Sequence, residues 1–310
     1  MRFLVVGGGG LGTVVAGYLA RAGNRVSLFV KPAQAAAYSS EEVRITGIVD
    51  FTAPVQIVSS AEVLGRFDGL IVTVKGRDTE AALSPLRDVD TDFVLSLQNG
   101  VKKDEILAAI FGRSKVLGAL ALVSAELKGP GQALNTAAQG IYLGELDGSN
   151  SARLVELATA LNAAGIPTFA VQDVVKREWD KLVLYLSLAL VSAVTRLATL
   201  PVLSDPDLSA ICVSIAKEVA TVAAAEGCAL DVDDAYLATL EAWARPIREK
   251  QMLHYMSMTQ DLLAGRPTEL ESTAGDILER AGRSGVAVPA LESLTRLLRG
   301  LDRNPAPAKA

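Results

Sequence analysis

The opening residues constrain the fold more than any other stretch. An unbroken apolar run over residues 3–6 leads directly into G-x-G-x-x-G at Gly7, Gly9 and Gly12, and helix-compatible sequence follows up to Ala22. A strand that turns through glycines into a helix gathers backbone N–H groups and the positive helix end at one point, where a dinucleotide pyrophosphate binds. In this reading Gly7 makes the tight turn and Gly9 lets the pyrophosphate approach the backbone. Gly12 lets helix and strand pack closely, and Gly10 and Leu11 complete the cofactor-binding loop. A purely structural glycine turn is the alternative. The strand before the motif and the helix after it weigh against that alternative.

The remainder of the first half repeats the alternation. Short apolar runs at residues 25–30, 70–74, 93–97, 116–123 and 167–171 read as buried strands, and Ala/Leu-rich stretches at 78–86, 103–111 and 151–164 read as helices. Such alternation predicts a parallel sheet covered on both faces. Residues 43–58 are β-branched around a central glycine and read as an inserted hairpin. After Asp173, a candidate N-cap, strand-like runs stop and helical sequence continues to about Arg299. Gly265 followed by Pro267 ends one helix and starts the next. The fold class is therefore α/β: an N-terminal Rossmann-type dinucleotide-binding domain over residues 1–172, followed by an all-helical C-terminal domain over 173–300. A tail over 301–310 is expected to be disordered.

Charge and rare residues narrow the chemistry. Of 310 residues, 30 are Lys or Arg and 35 are Asp or Glu, a net charge of −5 that does not suit a general nucleic-acid binder. Cys212 and Cys228 lie in Ala- and Val-rich sequence and read as buried free thiols of a reducing compartment. His254 is the only histidine, which excludes a multi-histidine metal site and disfavours a histidine-based triad, so no metal is expected. The N-terminus is too short and glycine-interrupted for a signal peptide. The apolar run at 182–194 falls short of the roughly 20 residues that cross a bilayer. A cytoplasmic protein without membrane or nucleic-acid partners is expected.

The second strand speaks to the cofactor. NAD-binding folds place an acid about 20 residues after the glycine loop to hold the ribose hydroxyls. No acid occurs from Val26 to Ser40, and Lys31 stands at the strand's end. A cation there suits a 2′-phosphate and favours NADPH, although Lys31 also reads as an ordinary surface lysine.

Several segments together resemble the ketopantoate reductase (2-dehydropantoate 2-reductase) family: FLVVGGGGLGTVVAGYLA, VKGRDTEAAL, LSLQNGV, WDKLVLYLSLALVSAVTRL and SMTQDLLAGRPTELE. Their order and spacing match over about residues 1–290. The resemblance implies NADPH-dependent reduction of a 2-oxo acid to a 2-hydroxy acid, with 2-dehydropantoate (ketopantoate) to pantoate in pantothenate biosynthesis as the leading reaction. It also implies a homodimer. It assigns Lys75 and Asn99 to the cofactor, Lys181 to catalysis, Ser257 to the substrate carboxylate and Glu269 to the catalytic network. Asp261 matches the motif with a less defined role on the substrate side.

Hydride delivery builds negative charge on a carbonyl oxygen, and in a chain with one histidine an ammonium group is the natural donor. Lys181 opens an apolar helix, where burial and Arg177 would lower its pKa and Glu178 would oppose this. A lysine snorkelling at a helix end is the competing reading. On residues alone, Glu269 after Pro267 reads as a helix-dipole carboxylate. Ser257 and Asp261, one turn apart, read equally as a polar surface pair. The family pattern also carries two asparagines four and eight residues after the lysine, to bond substrate oxygens. Tyr185 and Ala189 stand there, on the same helical face as Lys181. Two further polar positions of that pattern are Ala274 and Leu291. A site so altered reshapes the pocket. The alternatives to ketopantoate are a paralogue acting on a more apolar 2-oxo acid, a non-catalytic NADPH sensor, and a hydroxyacid or sugar-acid dehydrogenase running oxidatively.

Overall fold

The alternating first half forms a mixed sheet in the computed structural model, which describes residues 1–304. Its strands are β1 (Arg2–Val6), β2 (Arg25–Phe29), β3 (Glu42–Gly47), β4 (Phe51–Pro54), β5 (Gln56–Val58), β6 (Phe67–Val72), β7 (Thr91–Ser96), β8 (Val116–Gly129), β9 (Gln132–Glu145) and β10 (Thr168–Ala170). They run in the order β4-β3-β9-β8-β7-β6-β1-β2-β5, with β10 added against β9. The central pairs β2/β1, β1/β6, β6/β7 and β7/β8 are parallel. Both faces of such strands are covered, which is why residues 3–6 are apolar without alternation and wholly buried. The connecting helices are α1 (Gly10–Arg21), α2 (Pro32–Ala35), α3 (Thr79–Leu83), α4 (Lys102–Phe111) and α5 (Ala152–Ala163).

Three local expectations change. The run at 116–123 extends to Gly129 and turns into β9, a strand that the sequence did not reveal. β8 and β9 pair antiparallel with three register irregularities. Half-exposed, bulged strands carry polar residues such as Gln132 and Thr136, so no clean alternation marks them. Residues 43–58 form a hairpin only through β3 and β4; β5 leaves it to pair in parallel with β2. The helix expected over 78–86 closes at Leu83 and tightens into a turn at Pro85, whose missing N–H cannot continue the α-helical ladder.

From residue 174 onward the described chain is helical: α6 (Val174–Thr195), α7 (Thr199–Ser204), α8 (Pro206–Ala225), α9 (Tyr236–Glu249), α10 (Ser257–Leu263), α11 (Asp276–Ser284) and α12 (Pro289–Arg303). The chain divides into two units, Met1–Asn99 with Lys103–Val175, and Gly100–Lys102 with the chain from Lys176 onward. The second unit has its own core, in which Leu182, Leu186 and Leu190 of α6 meet Cys212, Ile215 and Val219 of α8, Leu240 of α9 and Ile277 of α11. Cys212 is buried and burial raises its thiol pKa to about 12, whereas Cys228 is half-exposed rather than buried. Among the described residues only α8, at 20 residues, is long and apolar enough to cross a membrane, and a little under half of its apolar stretch is buried within the protein. Helix α12 continues to Arg303, past the tail boundary expected at 301. Residues 305–310 of that tail lie outside the described residues.

Candidate functional site

Two groups of candidate residues take shape, one in each unit. In the first unit β1 ends at Val6 and α1 begins at Gly10. Gly7 sits at φ +119°, a left-handed conformation that glycine adopts without strain, and its N–H donates to Phe29 O at 2.9 Å. A Cβ on Gly12 would lie 1.9 Å from Gly7 O, so helix and strand touch through backbone alone. A Cβ on Gly9 would meet nothing within 4 Å. Gly9 is also the N-cap of α1, no side chain caps it, and the first turn carries no acid. Open space over an uncapped helix N-terminus fits a pyrophosphate. Gly10 and Leu11, half-exposed, are the first residues of that helix.

Lys31 is the N-cap of α2, and its Nζ lies 3.2 Å from Asp78 Oδ1. Asp78 also faces Arg77 Nε at 3.7 Å. The acid that the second strand lacks thus arrives from the turn after β6, and it engages the cation expected to meet a 2′-phosphate. Lys75 caps that same turn, Gly76–Asp78. Asn99, half-exposed, follows β7. Gln98 ties these segments together: its Nε2 donates to Val74 O at 2.6 Å and Thr79 Oγ1 at 2.7 Å, while its Oε1 accepts from Ser96 Oγ at 3.0 Å. Neither Asp78 nor Gln98 was legible as a site residue, because each acts through a partner remote in sequence.

In the second unit Lys181, half-buried, lies one turn before Tyr185 on α6. The Tyr185 hydroxyl is 3.2 Å from Ser257 Oγ, at the first residue of α10. Burial, then the charges of Glu269 and Asp261, push the Tyr185 pKa well above 10, although the Ser257 hydrogen bond pulls the other way. Asp261 is buried and accepts from Arg266 Nε at 2.9 Å, a partner missed in the sequence. Tyr185, Ser257, Asp261 and Glu269 therefore form one cluster. Ala189 does not join it at the surface: it has no exposed area and belongs to the core. Glu269 is not in the first turn of a helix as Pro267 suggested. It lies in a bend, and the following helical turn, Glu271–Gly275, is of the wide π type before α11 begins. Thr273 Oγ1 donates to Glu269 O at 2.7 Å and holds that bend. Wide turns of this kind are frequent at functional sites. Among the described residues no group of three or more His, Cys, Asp or Glu could hold a metal ion.

This chain is similar to known proteins over nearly all its length. The family model described as "Ketopantoate reductase PanE/ApbA" matches residues 3–148, and its C-terminal companion matches residues 173–302. A 2-dehydropantoate 2-reductase of Archaeoglobus fulgidus is 31% identical over 301 residues, covering 97% of this chain and 98% of that one. The crystal structure of 2-dehydropantoate 2-reductase from Geobacter metallireducens superposes with a TM-score of 0.85 at 27% identity, covering 97% and 99% of the two chains. The ternary structure of D-mandelate dehydrogenase with NADH and anilino(oxo)acetate shares the fold, with a TM-score of 0.85 at 23% identity over 98% and 99%. The chain belongs to the ketopantoate reductase family. It is an NADP-dependent oxidoreductase acting on a CH–OH group.

Proposed function

We propose that the protein reduces a 2-oxo acid to a 2-hydroxy acid with NADPH, and that ketopantoate is the leading substrate. The observation that carries this reading is the cluster on α6 and α10. A lysine stands one helical turn from a tyrosine–serine pair, and its ammonium and the serine hydroxyl suit the carbonyl oxygen and carboxylate of a small 2-oxo acid, while the charge of the buried Asp261 is offset by Arg266. NADPH, when bound, supplies the hydride. Gly7 to Gly12 would hold its pyrophosphate on the helix N-terminus, Lys31, released from Asp78, would meet the 2′-phosphate, and Lys75 and Asn99 would complete its contacts. Lys181 holds the developing negative charge on the substrate oxygen and delivers the proton. Ser257 donates a hydrogen bond to the substrate carboxylate. Glu269 orients this network, and Asp261, held by Arg266, fixes the turn of α10 that carries Ser257.

A second reading, favoured by Tyr185 and Ala189 in place of amides, is a paralogue that reduces a more apolar 2-oxo acid. A bulky aromatic ring and a methyl group leave fewer polar partners for a distal hydroxyl. Cytoplasmic location, a homodimer and the absence of membrane and nucleic-acid partners belong to the same proposal. The boundary near residue 172 also belongs to it, as the junction of a cofactor domain and a substrate domain. The test is NADPH consumption against a panel of 2-oxo acids with and without the distal hydroxyl of ketopantoate. Turnover of ketopantoate above the others supports the first reading, and preference for apolar acids supports the second. NADPH binding without consumption of any 2-oxo acid overturns both and leaves a sensor.

A further inference from the structure

The Tyr185–Ser257 contact carries more than a change of pocket shape. Either hydroxyl can donate across the 3.2 Å separation. Their surroundings decide between the two arrangements. Tyr185 is 7% exposed, whereas Ser257 is half-buried with part of its surface open. The bond to Ser257 is the one hydrogen bond of the Tyr185 hydroxyl among the described residues, and Glu269 and Asp261 act on it through charge. If Ser257 donated, the buried phenol proton would be left without an acceptor, which is the costly arrangement. If Tyr185 donates, its proton is satisfied and the Ser257 proton is released to point outward. The negative field of Glu269 and Asp261, together with burial, also keeps the phenol protonated, so the donor is always present. A hydroxyl that accepts one hydrogen bond is a stronger donor in the next.

We propose that Tyr185 is a positioning residue that orients the Ser257 hydroxyl as an outward donor to the substrate carboxylate. This rests on the reading of Ser257 as the carboxylate contact. In this chain an aromatic hydroxyl replaces the amide expected one turn after Lys181. It serves the acid group of the substrate from behind Ser257 and leaves the distal end of the substrate without a polar partner from that position. The substrate class that follows is a 2-oxo acid recognised through its carboxylate and carbonyl, with no polar partner from position 185 for its remainder.

The experiment is a double-mutant cycle on the full chain with the best 2-oxo acid of the panel, reading KM and kcat separately. Tyr185→Phe is expected to raise KM about 5-fold with kcat within about twofold, and Ser257→Ala to raise KM about 20-fold, the sizes of a lost neutral and a lost charge-assisted hydrogen bond. The double variant is expected to match Ser257→Ala alone, because Tyr185 acts through Ser257. Wild-type KM in Tyr185→Phe, or effects that multiply in the double variant, would overturn the proposal. Tyr185→Met, which keeps apolar bulk without the hydroxyl, takes the place of Tyr185→Phe if the latter does not fold. A wild-type protein that reduces no 2-oxo acid overturns the parent reading itself. A failed cycle with an active wild type overturns only the role of Tyr185.

Discussion

Gly12→Ala tests the glycine loop with a magnitude that the geometry supplies. The new Cβ would lie 1.9 Å from Gly7 O and 2.4 Å from Thr73 Oγ1. Ordinary contact begins near 3.4 Å, so helix and loop must part by about 1.5 Å, a severe case of overpacking. The helix has little room to retreat, because Gly10, two residues earlier, lies so close to β8 that a Cβ added there would stand 2.8 Å from Ala125 O. Thr73 Oγ1 donates to Val6 O at 3.0 Å and to Gly7 O at 3.1 Å, and the separation breaks that bridge. Overpacking at about 1–3 kcal/mol plus the lost bridge gives about 2–5 kcal/mol. For a unit of this size that lowers Tm by about 5–15 °C. NADPH affinity should fall at least about 100-fold, since the N–H groups of the loop no longer converge on the pyrophosphate. Thermal melting and NADPH fluorescence titration read the two effects. Gly300→Ala is the control: nothing lies within 4 Å of its added Cβ, and alanine in the interior of α12 is expected to stabilise by about 0.5–1 kcal/mol. A Gly12→Ala protein with wild-type Tm and NADPH affinity would refute the reasoning.

Lys181→Ala should lower kcat by roughly 10²–10⁴-fold, the usual size of a lost general acid, with NADPH affinity little changed and Lys181→Arg a poor rescue; near wild-type turnover would refute the assignment. Lys31→Asp should erode or reverse the preference for NADPH over NADH, whereas Asp78→Asn, which releases Lys31 from its exposed ion pair, should tighten NADPH binding by about 2–5-fold; comparative titration of both cofactors checks this. Arg153→Ala removes the Nε and Nη2 hydrogen bonds at 2.8 and 2.6 Å that hold the buried Glu145 carboxylate below its ordinary pKa, and should cost about 2–3 kcal/mol in a urea melt. Burial lowers the pKa of His254 below its ordinary 6.5, so the unfolded chain takes up the proton first and stability should be lost as pH falls below about 6.5. His254→Gln should flatten that dependence, and an unchanged pH profile of Tm would count against it.

Local chemistry was legible in the sequence, and partnership was not. Gly7 and Gly12 could be placed because the conformational freedom and close approach they provide depend on the residue itself and its immediate neighbours. The central parallel strands could be placed because burial on both faces leaves continuous apolar runs. The helical second half could be placed because nothing in it alternates with period two. Strand β9 escaped because its burial is irregular and its partners β8, β3 and β10 impose pairing that no local pattern encodes. Tertiary structure alone brought Asp78 to Lys31 across 47 positions and Ser257 to Tyr185 across 72. The sequence already marked Tyr185 as a departure from the family. Only the fold decided that its hydroxyl faces a serine, because a hydrogen bond between distant segments is set by how the helices pack and not by the spacing of residues along either one.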